Sequence, residues 1–147
     1  MNAIALIGLS GSGKSTVGPL LAERLGLPHL DVDLVLEQRE GRTIREIFDT
    51  DGEPYFRALE REITIELLAA PGVLSLGGGA PMTRAIADAL DGHPVVWLRV
   101  EPESSARRIG RDEGRPLLAG QDAVVRLRKM LSERAPTYAR LASLAVD

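Results

Sequence analysis

The sequence predicts a three-layer α/β domain in which helices cover both faces of a five-stranded parallel sheet. Short apolar runs alternate with helical segments along the whole chain, which is the pattern of such folds. The first run, residues 3–7, is apolar throughout, as expected of a central strand buried on both faces. It leads into a glycine-rich segment and then a helix. A chain of 147 residues suits a single domain of this kind.

The N-terminal half is predicted to hold two strands and three short or medium helices. A helix over residues 14–25 has Val17, Leu20, Leu21 and Leu25 on its apolar face and ends at Gly26. Residues 29–33 are expected to be a strand whose end carries acidic side chains. Short helices follow over residues 34–39 and, behind a capping box, over 43–48, with a turn at 49–52.

The C-terminal half continues the alternation with a long helix over residues 53–70. Its expected buried stripe consists of Phe56, Leu59, Ile63 and Leu67. Strands are predicted over 73–76, 94–100 and within 141–146, and helices over 83–90, 102–109 and 122–134, where Pro136 bends or breaks the last helix. Residues 110–120 are polar, punctuated by glycine, and show no helical stripe.

Composition limits the possible functions. The formal net charge is −3 and no basic block stands out, so there is no electrostatic basis for binding nucleic acid or an anionic membrane. The absence of cysteine excludes disulfides, thiolate catalysis and cysteine-based metal sites. We recognise no signal peptide or membrane span, and expect a cytoplasmic monomer that binds small molecules.

The phosphate loop, residues 8–16 (GLSGSGKST), is the most specific motif. It fits the pattern of glycine, four free positions, glycine, lysine and serine or threonine that binds phosphates between a strand and a helix. Its glycines let backbone N–H groups converge, and the helix dipole favours an anion. Lys14 adds a positive charge for the outer phosphates, and the Ser15 hydroxyl is a candidate Mg²⁺ ligand.

Asp31 and Asp33 form the second candidate constellation. On an extended segment, alternate side chains share one face, so both carboxylates are expected to face the phosphate loop. There, one can hold metal-bound water and the other can accept or orient the proton of an attacking hydroxyl. The alternative is that both are solvated acids that cap the following helix.

The glycine segment, residues 77–79, follows the third strand and has two interpretations. It is either a loose or positive-φ turn, or a place where the backbone approaches a ligand closely and donates N–H groups.

Arg57, Arg115 and Arg134 are candidates for binding carboxylates or phosphates bidentately, although most arginines are solvated or lie in surface ion pairs. His29, His93 and Trp97 are interpreted as structural.

Together these residues resemble the shikimate kinases, small kinases with a fold like that of nucleoside monophosphate kinases. The likeness extends from Leu6 to about Val146. Its motifs, besides the phosphate loop, are Leu30-Asp31-Val32-Asp33, Ile47-Phe48 before Asp51-Gly52-Glu53, Phe56-Arg57 with Glu60, residues 76–79, Arg115-Pro116-Leu117-Leu118, and Arg134 with Tyr138. The resemblance implies phosphorylation of the shikimate 3-hydroxyl with ATP and Mg²⁺, as in chorismate and aromatic amino acid biosynthesis. It also implies one kinase domain over residues 1–147, with a shikimate-binding segment at about 32–60 and a lid at about 110–122.

The resemblance also assigns roles to individual residues. Lys14, Asp33 and Arg115 are implied as catalytic. Asp33, Arg57, Gly78, Gly79 and Arg134 are implied to bind shikimate, and Ser15 and Asp31 to hold the metal. The implied ATP-binding residues are Gly11, Ser12, Gly13, Lys14, Ser15, Thr16, Arg108 and Arg115.

Two other functions and one departure from the family pattern accompany this interpretation. A gluconate-kinase-like enzyme would share the phosphate loop but lack the glycine segment together with the Arg-Pro-Leu-Leu motif. A non-catalytic ligand sensor could lose its acids or lysine, whereas Lys14, Ser15, Asp33 and Arg115 are all present. The family continues past the last strand into a loop near the adenine and a closing helix, which have no counterpart before Asp147. We therefore expect one sheet face to be less covered and adenine binding to be weaker.

Overall fold

A computed structural model describes residues 3–9, 12–104 and 120–147, with the backbone alone described for 120–123. Its sheet has five parallel strands in the order β2-β3-β1-β4-β5, which confirms the predicted architecture and the central place of the first strand. Ala5 of that strand pairs with Leu74 on one side and Val95 on the other. The strands are β1 (Ile4–Ile7), β2 (His29–Asp31), β3 (Val73–Ser75), β4 (Val95–Leu98) and β5 (Leu144–Val146).

The described helices connect these strands and cover the sheet. They are α1 (Lys14–Leu25), α2 (Val32–Glu40), α3 (Ile44–Asp51), α4 (Glu53–Leu68), α5 (Arg84–Ala89) and α6 (Gly120–Leu141), with a 3₁₀ turn at Ala80–Met82. A continuous apolar core joins one sheet face to α2, α3, α4, α5 and α6. A smaller cluster around Leu6, Ala22 and Val73 lies between the sheet and α1.

Helix α1 has the predicted bounds, but its buried face was predicted wrongly. Gly18 and Ala22 are its buried residues, whereas Leu20 and Leu25 are 55% and 48% exposed. The reason is close packing, since a β-carbon at Gly18 would overlap the imidazole of His29. Small residues therefore face the sheet, Leu21 packs half-buried beside them, and Leu20 and Leu25 point outward.

The segment after β2 also differs from expectation. The strand ends at Asp31, and Val32 already begins α2, so Asp33 lies in the first helical turn instead of on an extended strand. The capping box of α3 is present, with Thr43 and Glu46 each bonded to the other's backbone N–H. This helix runs on through residues 49–51, where a turn was predicted. It is joined to α2 by Arg42, which lies 3.0 Å from Glu40 and 2.5 Å from Asp51.

Helix α4 has the predicted start but a different buried face. Phe56, Glu60, Ile63, Thr64 and Leu68 are buried, while the expected Leu59 and Leu67 are only half-buried. The buried set includes a carboxylate, which a search for apolar stripes cannot find. As shown below, this carboxylate belongs to the candidate site.

Helix α6 is longer than predicted. It continues through Pro136 to Leu141 as one helix, so Pro136 does not break it. Of the helix predicted over 102–109, residues 102–104 are helical, and the rest of it lies outside the described residues.

A groove of about 790 Å³ runs between α1 and the β4–β5 side of the sheet, beside the phosphate loop. Leu6, Val17, Leu21, Val96 and Leu98 line it, together with the exposed side chains of β5. Within the described residues, no helix combines the length and apolar character needed to cross a membrane.

Candidate active site

The phosphate loop leaves the end of β1 and turns into α1. Gly13 stands at the N-cap of that helix with φ of 100°, a left-handed conformation that favours glycine, and it provides no side-chain cap. The N–H groups of the first turn therefore have no side-chain acceptor at the cap, and the positive end of the helix dipole faces the loop. This geometry suits an anion such as a phosphate group.

Lys14 lies across the same loop. Its Nζ donates hydrogen bonds to the carbonyl oxygens of Gly8 at 2.5 Å and Leu9 at 3.1 Å. Burial lowers the pKa of Lys14 to about 8, although the negative charges of Asp33 and Asp31 act to raise it. The ammonium is therefore held near the loop carbonyls and close to two carboxylates.

The remaining described loop residues differ in exposure. Ser15 and Thr16 are exposed, so their hydroxyls are accessible at the mouth of the loop. Ser12 is only 5% exposed, and within the described part of the chain its Oγ has no hydrogen-bond partner. A buried hydroxyl of this kind can donate to an incoming phosphate oxygen.

Asp31 and Asp33 have different environments, and each of the two sequence interpretations describes one of them. Asp31 caps α2, since its Oδ1 accepts hydrogen bonds from the N–H groups of Asp33 at 2.9 Å and Leu34 at 3.3 Å. Asp33 is partly buried in the first turn, and its Oδ1 is a buried oxygen for which the described residues offer no hydrogen-bond partner. An unsatisfied buried carboxylate oxygen indicates a place for a donor from a ligand.

The protonation of Asp33 follows from this position. The pKa of Asp33 is raised to about 6, chiefly by burial and also by the nearby charges of Asp31 and Glu60, while the charge of Lys14 acts to lower it. The carboxylate is consequently ionised near neutral pH but close to titration. Such a group can accept a proton or orient a hydroxyl.

The glycine segment is where three charged side chains meet. A β-carbon at Gly77 would lie 3.1 Å from both Asp33 Oδ1 and Glu60 Oε2, and one at Gly79 would lie 2.8 Å from Arg57 Nη2. None of the three glycines has a positive φ, so a positive-φ turn is not the reason for them. The structure supports the interpretation that the backbone is closely approached here, and the groups that approach it are the side chains of Asp33, Glu60 and Arg57.

Arg57 and Glu60 form an ion pair within α4, beside this segment. Arg57 Nη1 lies 2.8 Å from Glu60 Oε1, and Glu60 is 1% exposed. Burial raises the pKa of Glu60, while Arg57 and Arg134 act to lower it. Burial would lower the pKa of Arg57, but the hydrogen bond and charge of Glu60 outweigh it and the pKa is raised. Sequence reasoning gave Glu60 no role, although the i, i+3 spacing from Arg57 was a usable signal.

Arg134 reaches the same region from α6. Its positive charge acts on Lys14, on Glu60 and on the hydroxyl of Tyr138. The structure therefore brings Lys14, Asp33, Arg57, the glycine segment and Arg134 together. Gly11, Arg108, Arg115 and most of the expected lid lie outside the described residues.

The two histidines do not enter this site. His29 Nε2 lies 2.9 Å from Ser75 Oγ, and His93 Nδ1 lies 2.9 Å from the carbonyl oxygen of Ala3. Trp97 is buried and packs on Tyr138, as its place in a core strand predicts.

A phosphate loop after the central strand of a parallel sheet, beside a pocket with one orphaned carboxylate oxygen and two arginines, defines a P-loop kinase of small molecules. Enzymes of this class are phosphotransferases. The shikimate kinase family model matches residues 10–147. The chain belongs to the shikimate kinase family, and this makes it a phosphotransferase with an alcohol acceptor.

Individual relatives agree with this family. A shikimate kinase of Thermobifida fusca is 51% identical over 143 residues, which are 97% of this chain and 83% of the relative. One of Mycobacterium marinum is 49% identical over 143 residues, or 97% of this chain and 78% of the relative. The structure of shikimate kinase from Acinetobacter baumannii in complex with shikimate matches with a TM-score of 0.89 and 37% identity, covering 100% of this chain and 83% of that one.

Proposed function

We propose that this protein transfers the γ-phosphoryl group of ATP to the 3-hydroxyl of shikimate, giving shikimate 3-phosphate and ADP. One observation carries the proposal. Beside the phosphate loop, Asp33 presents a buried oxygen without a described partner, and Arg57 and Arg134 supply positive charge in the same pocket. A polyol that also carries a carboxylate matches both features, because Asp33 accepts from hydroxyls and arginine binds carboxylates.

The proposed roles divide the site into two halves. The phosphate loop holds the nucleotide phosphates through its backbone N–H groups, with Ser12, Gly13, Lys14, Ser15 and Thr16 as the described members. In the other half, Arg57 and Arg134 fix the acceptor carboxylate, and the backbone at Gly78 and Gly79 contacts acceptor oxygens. Holding both substrates in line is the larger part of catalysis for phosphoryl transfer.

The chemistry proposed is a direct displacement. The acceptor 3-hydroxyl oxygen bonds to the γ-phosphorus as the bond from that phosphorus to the β,γ-bridging oxygen breaks, and ADP leaves. Asp33 orients the hydroxyl and accepts its proton, for which its pKa of about 6 is suited at neutral pH. Lys14 stabilises negative charge on the transferred group.

The residues present fit a Mg²⁺ ion of the kind that kinases use. Ser15 offers an exposed hydroxyl, and Asp31 offers a carboxylate whose charge reaches Lys14 and Asp33. Among the described residues, no group of three or more His, Asp or Glu side chains could hold a metal ion. Nucleotide phosphates and water would therefore complete the coordination, as is usual for Mg²⁺. When bound, the ion neutralises charge on the phosphates.

The test is the release of ADP from Mg-ATP by the purified protein, with and without shikimate. We expect release that depends on shikimate, together with a new phosphate ester in the ³¹P spectrum. Gluconate in place of shikimate separates the related kinase activity, and we expect it to give only background release. Tight binding of ATP and shikimate without ADP release would support a ligand sensor and contradict the proposal.

The lid, with Arg108 and Arg115 as proposed ATP-binding residues and Arg115 as a catalytic residue, stays a proposal from the family resemblance. The same holds for Gly11 and for a cytoplasmic, monomeric state.

A further inference from the structure

Tyr138 is a fully buried side chain next to the candidate site, and none of the roles proposed above uses it. It lies on α6, one turn beyond Arg134. Its ring packs against Trp97 of β4 in an edge-on arrangement, with centroids 5.6 Å apart and planes at 62°. Its hydroxyl donates a hydrogen bond to the carbonyl oxygen of Gly78, the middle residue of the glycine segment.

The same hydroxyl also has a cationic neighbour. Burial raises the pKa of Tyr138, and a side-chain hydrogen bond with Arg134 and the charge of Arg134 act against that rise. A phenol has one proton to donate and lone pairs to accept with, whereas a guanidinium only donates. Since the proton is directed to Gly78, the lone pairs are available to an N–H group of Arg134. Residues at i and i+4 of a helix lie on the same face, which makes this pairing natural.

Arg134 and the glycine segment belong to different parts of the fold. The arginine is on α6, while the glycine segment follows β3, with Arg57 and Asp33 packed against it. The described contacts of the Tyr138 hydroxyl join these two parts. The aromatic ring packs against Trp97, and the two hydrogen bonds of the hydroxyl fix its direction.

We propose that Tyr138 is a positioning residue for the acceptor: its hydroxyl fixes the Gly78 carbonyl and the Arg134 guanidinium relative to each other. The proposal rests on the proposed function, because it assumes that Arg134 binds the acceptor carboxylate. Tyr138 itself does not contact substrate. It sets the spacing between the arginine that holds the carboxylate and the backbone that faces the acceptor oxygens.

The test is Tyr138→Phe, which keeps the ring and removes only the hydroxyl. The loss of one hydrogen-bonding group predicts a rise in the KM for shikimate of roughly five- to thirtyfold, with a smaller change in kcat and no change in the KM for ATP. On an Arg134→Ala background the same substitution is expected to have almost no further effect on the KM for shikimate. An unchanged KM for shikimate in Tyr138→Phe would overturn the proposal, even if the variant melts at a lower temperature.

Trp97→Phe is the matched control, since it loosens the packing around Tyr138 and leaves the hydroxyl in place. We expect it to lower the melting temperature with the KM for shikimate nearly unchanged. If Trp97→Phe raises this KM as much as Tyr138→Phe does, Tyr138 acts only through packing and the proposal fails.

Amide hydrogen exchange separates this proposal from the proposed function. In Tyr138→Phe we expect faster exchange confined to the glycine segment and the turn that follows it, a readout that needs no substrate. If the wild type releases no shikimate-dependent ADP, the proposed function fails, yet faster exchange there still supports the tether to Gly78. Unchanged exchange in an active enzyme contradicts the tether alone.

Discussion

The guanidinium of Arg57 lies directly against the backbone of Gly79, so that a β-carbon at position 79 would be 2.8 Å from Nη2 and 2.9 Å from Nη1. Glycine is therefore needed at position 79 because a larger residue would overlap the arginine side chain. The backbone conformation does not require glycine, since a φ of −90° is accessible to any residue. The guanidinium group is at the end of the flexible Arg57 side chain and can move aside. An added methyl group thus displaces the cation without breaking the fold.

Gly79→Ala is expected to raise the KM for shikimate roughly tenfold or more, because the displaced guanidinium no longer meets the acceptor carboxylate in the same geometry. The melting temperature is expected to change little. Steady-state kinetics and a thermal melt measure the two effects. A large loss of stability with an unchanged KM would show that the backbone, and not Arg57, gives way.

Asp33→Asn is expected to lower kcat by a hundredfold or more while ATP affinity stays within about twofold, because the proton acceptor is lost and the phosphate loop is intact. ATP affinity measured by calorimetry and turnover measured by ADP release check the two parts. A wild-type rate in this variant would remove Asp33 from its proposed role.

Asp33→Asn, which is expected to lower activity, is expected to raise the free energy of unfolding. The pKa of Asp33 is raised in the folded protein to about 6 from its ordinary 3.8, so ionised Asp33 destabilises the fold above pH 6 and the penalty disappears below about pH 4. Asp33→Asn should therefore stabilise the substrate-free protein by about 1–2 kcal/mol at pH 7.5, after an allowance for screening, and by little at pH 4. Chemical denaturation at both pH values measures this.

Asp31→Ala provides the contrast for that experiment. Asp31 caps α2, so its removal should cost about 1 kcal/mol of stability at pH 7.5, where Asp33→Asn gains stability. Changes of the same sign in both variants at pH 7.5 would contradict the different environments assigned to the two carboxylates.

Lys14 is expected to couple ATP binding to proton uptake. Burial lowers its pKa to about 8 in the substrate-free protein, so a growing fraction is neutral above that pH. Nucleotide phosphates favour the ammonium form and raise the pKa again. Calorimetry at pH 9 in buffers of different ionisation enthalpy should show uptake approaching one proton per ATP, and much less at pH 7. In Lys14→Arg the side chain stays charged at pH 9, so this variant should take up no proton when ATP binds. Equal proton uptake in the variant and the wild type would contradict the assignment of the uptake to Lys14.

Glu60 is expected to hold Arg57 in place from its buried position. Glu60→Ala leaves Arg57 without its close partner and should lower stability by about 2–3 kcal/mol, with a several-fold rise in the KM for shikimate. Glu60→Gln keeps an acceptor oxygen and should have a smaller effect on both. Denaturation and kinetics on the two variants test this order, and equal effects would argue against a role for the acceptor oxygen.

Much of the fold could be predicted from sequence because its signals are local. The apolar run of β1, the glycines of the phosphate loop and the capping box of α3 each act within a few residues. The observed helix ends differ from the predicted ones where tertiary contacts determine them, as in α6, which continues through Pro136. The face of α1 was predicted wrongly because the close approach of Gly18 to His29 is a property of two elements together.

The candidate site shows the same limit. Motifs and the family resemblance named Lys14, Asp33, Arg57 and Arg134, and the structure brings these together. The different environments of Asp31 and Asp33 depend on where α2 begins, one residue after β2, which periodicity does not resolve. Tyr138 contacts Gly78 and Trp97, which are far away in the sequence, so no local pattern assigns it a role. Glu60 had one local signal, its i, i+3 spacing from Arg57, but its position against the glycine segment is a property of the folded chain.

The central position of β1 has a consequence for synthesis. Both neighbours of this strand come much later in the chain, with Ile4 paired to Val73 and Ala5 paired to Val95. Pairings between such distant segments form slowly. When the phosphate loop has been synthesised, the strands that flank β1 in the sheet have not, so the loop has no sheet to support its native conformation. The loop nearest the N-terminus should thus be among the last parts to gain its native geometry on the ribosome, once β4 has emerged.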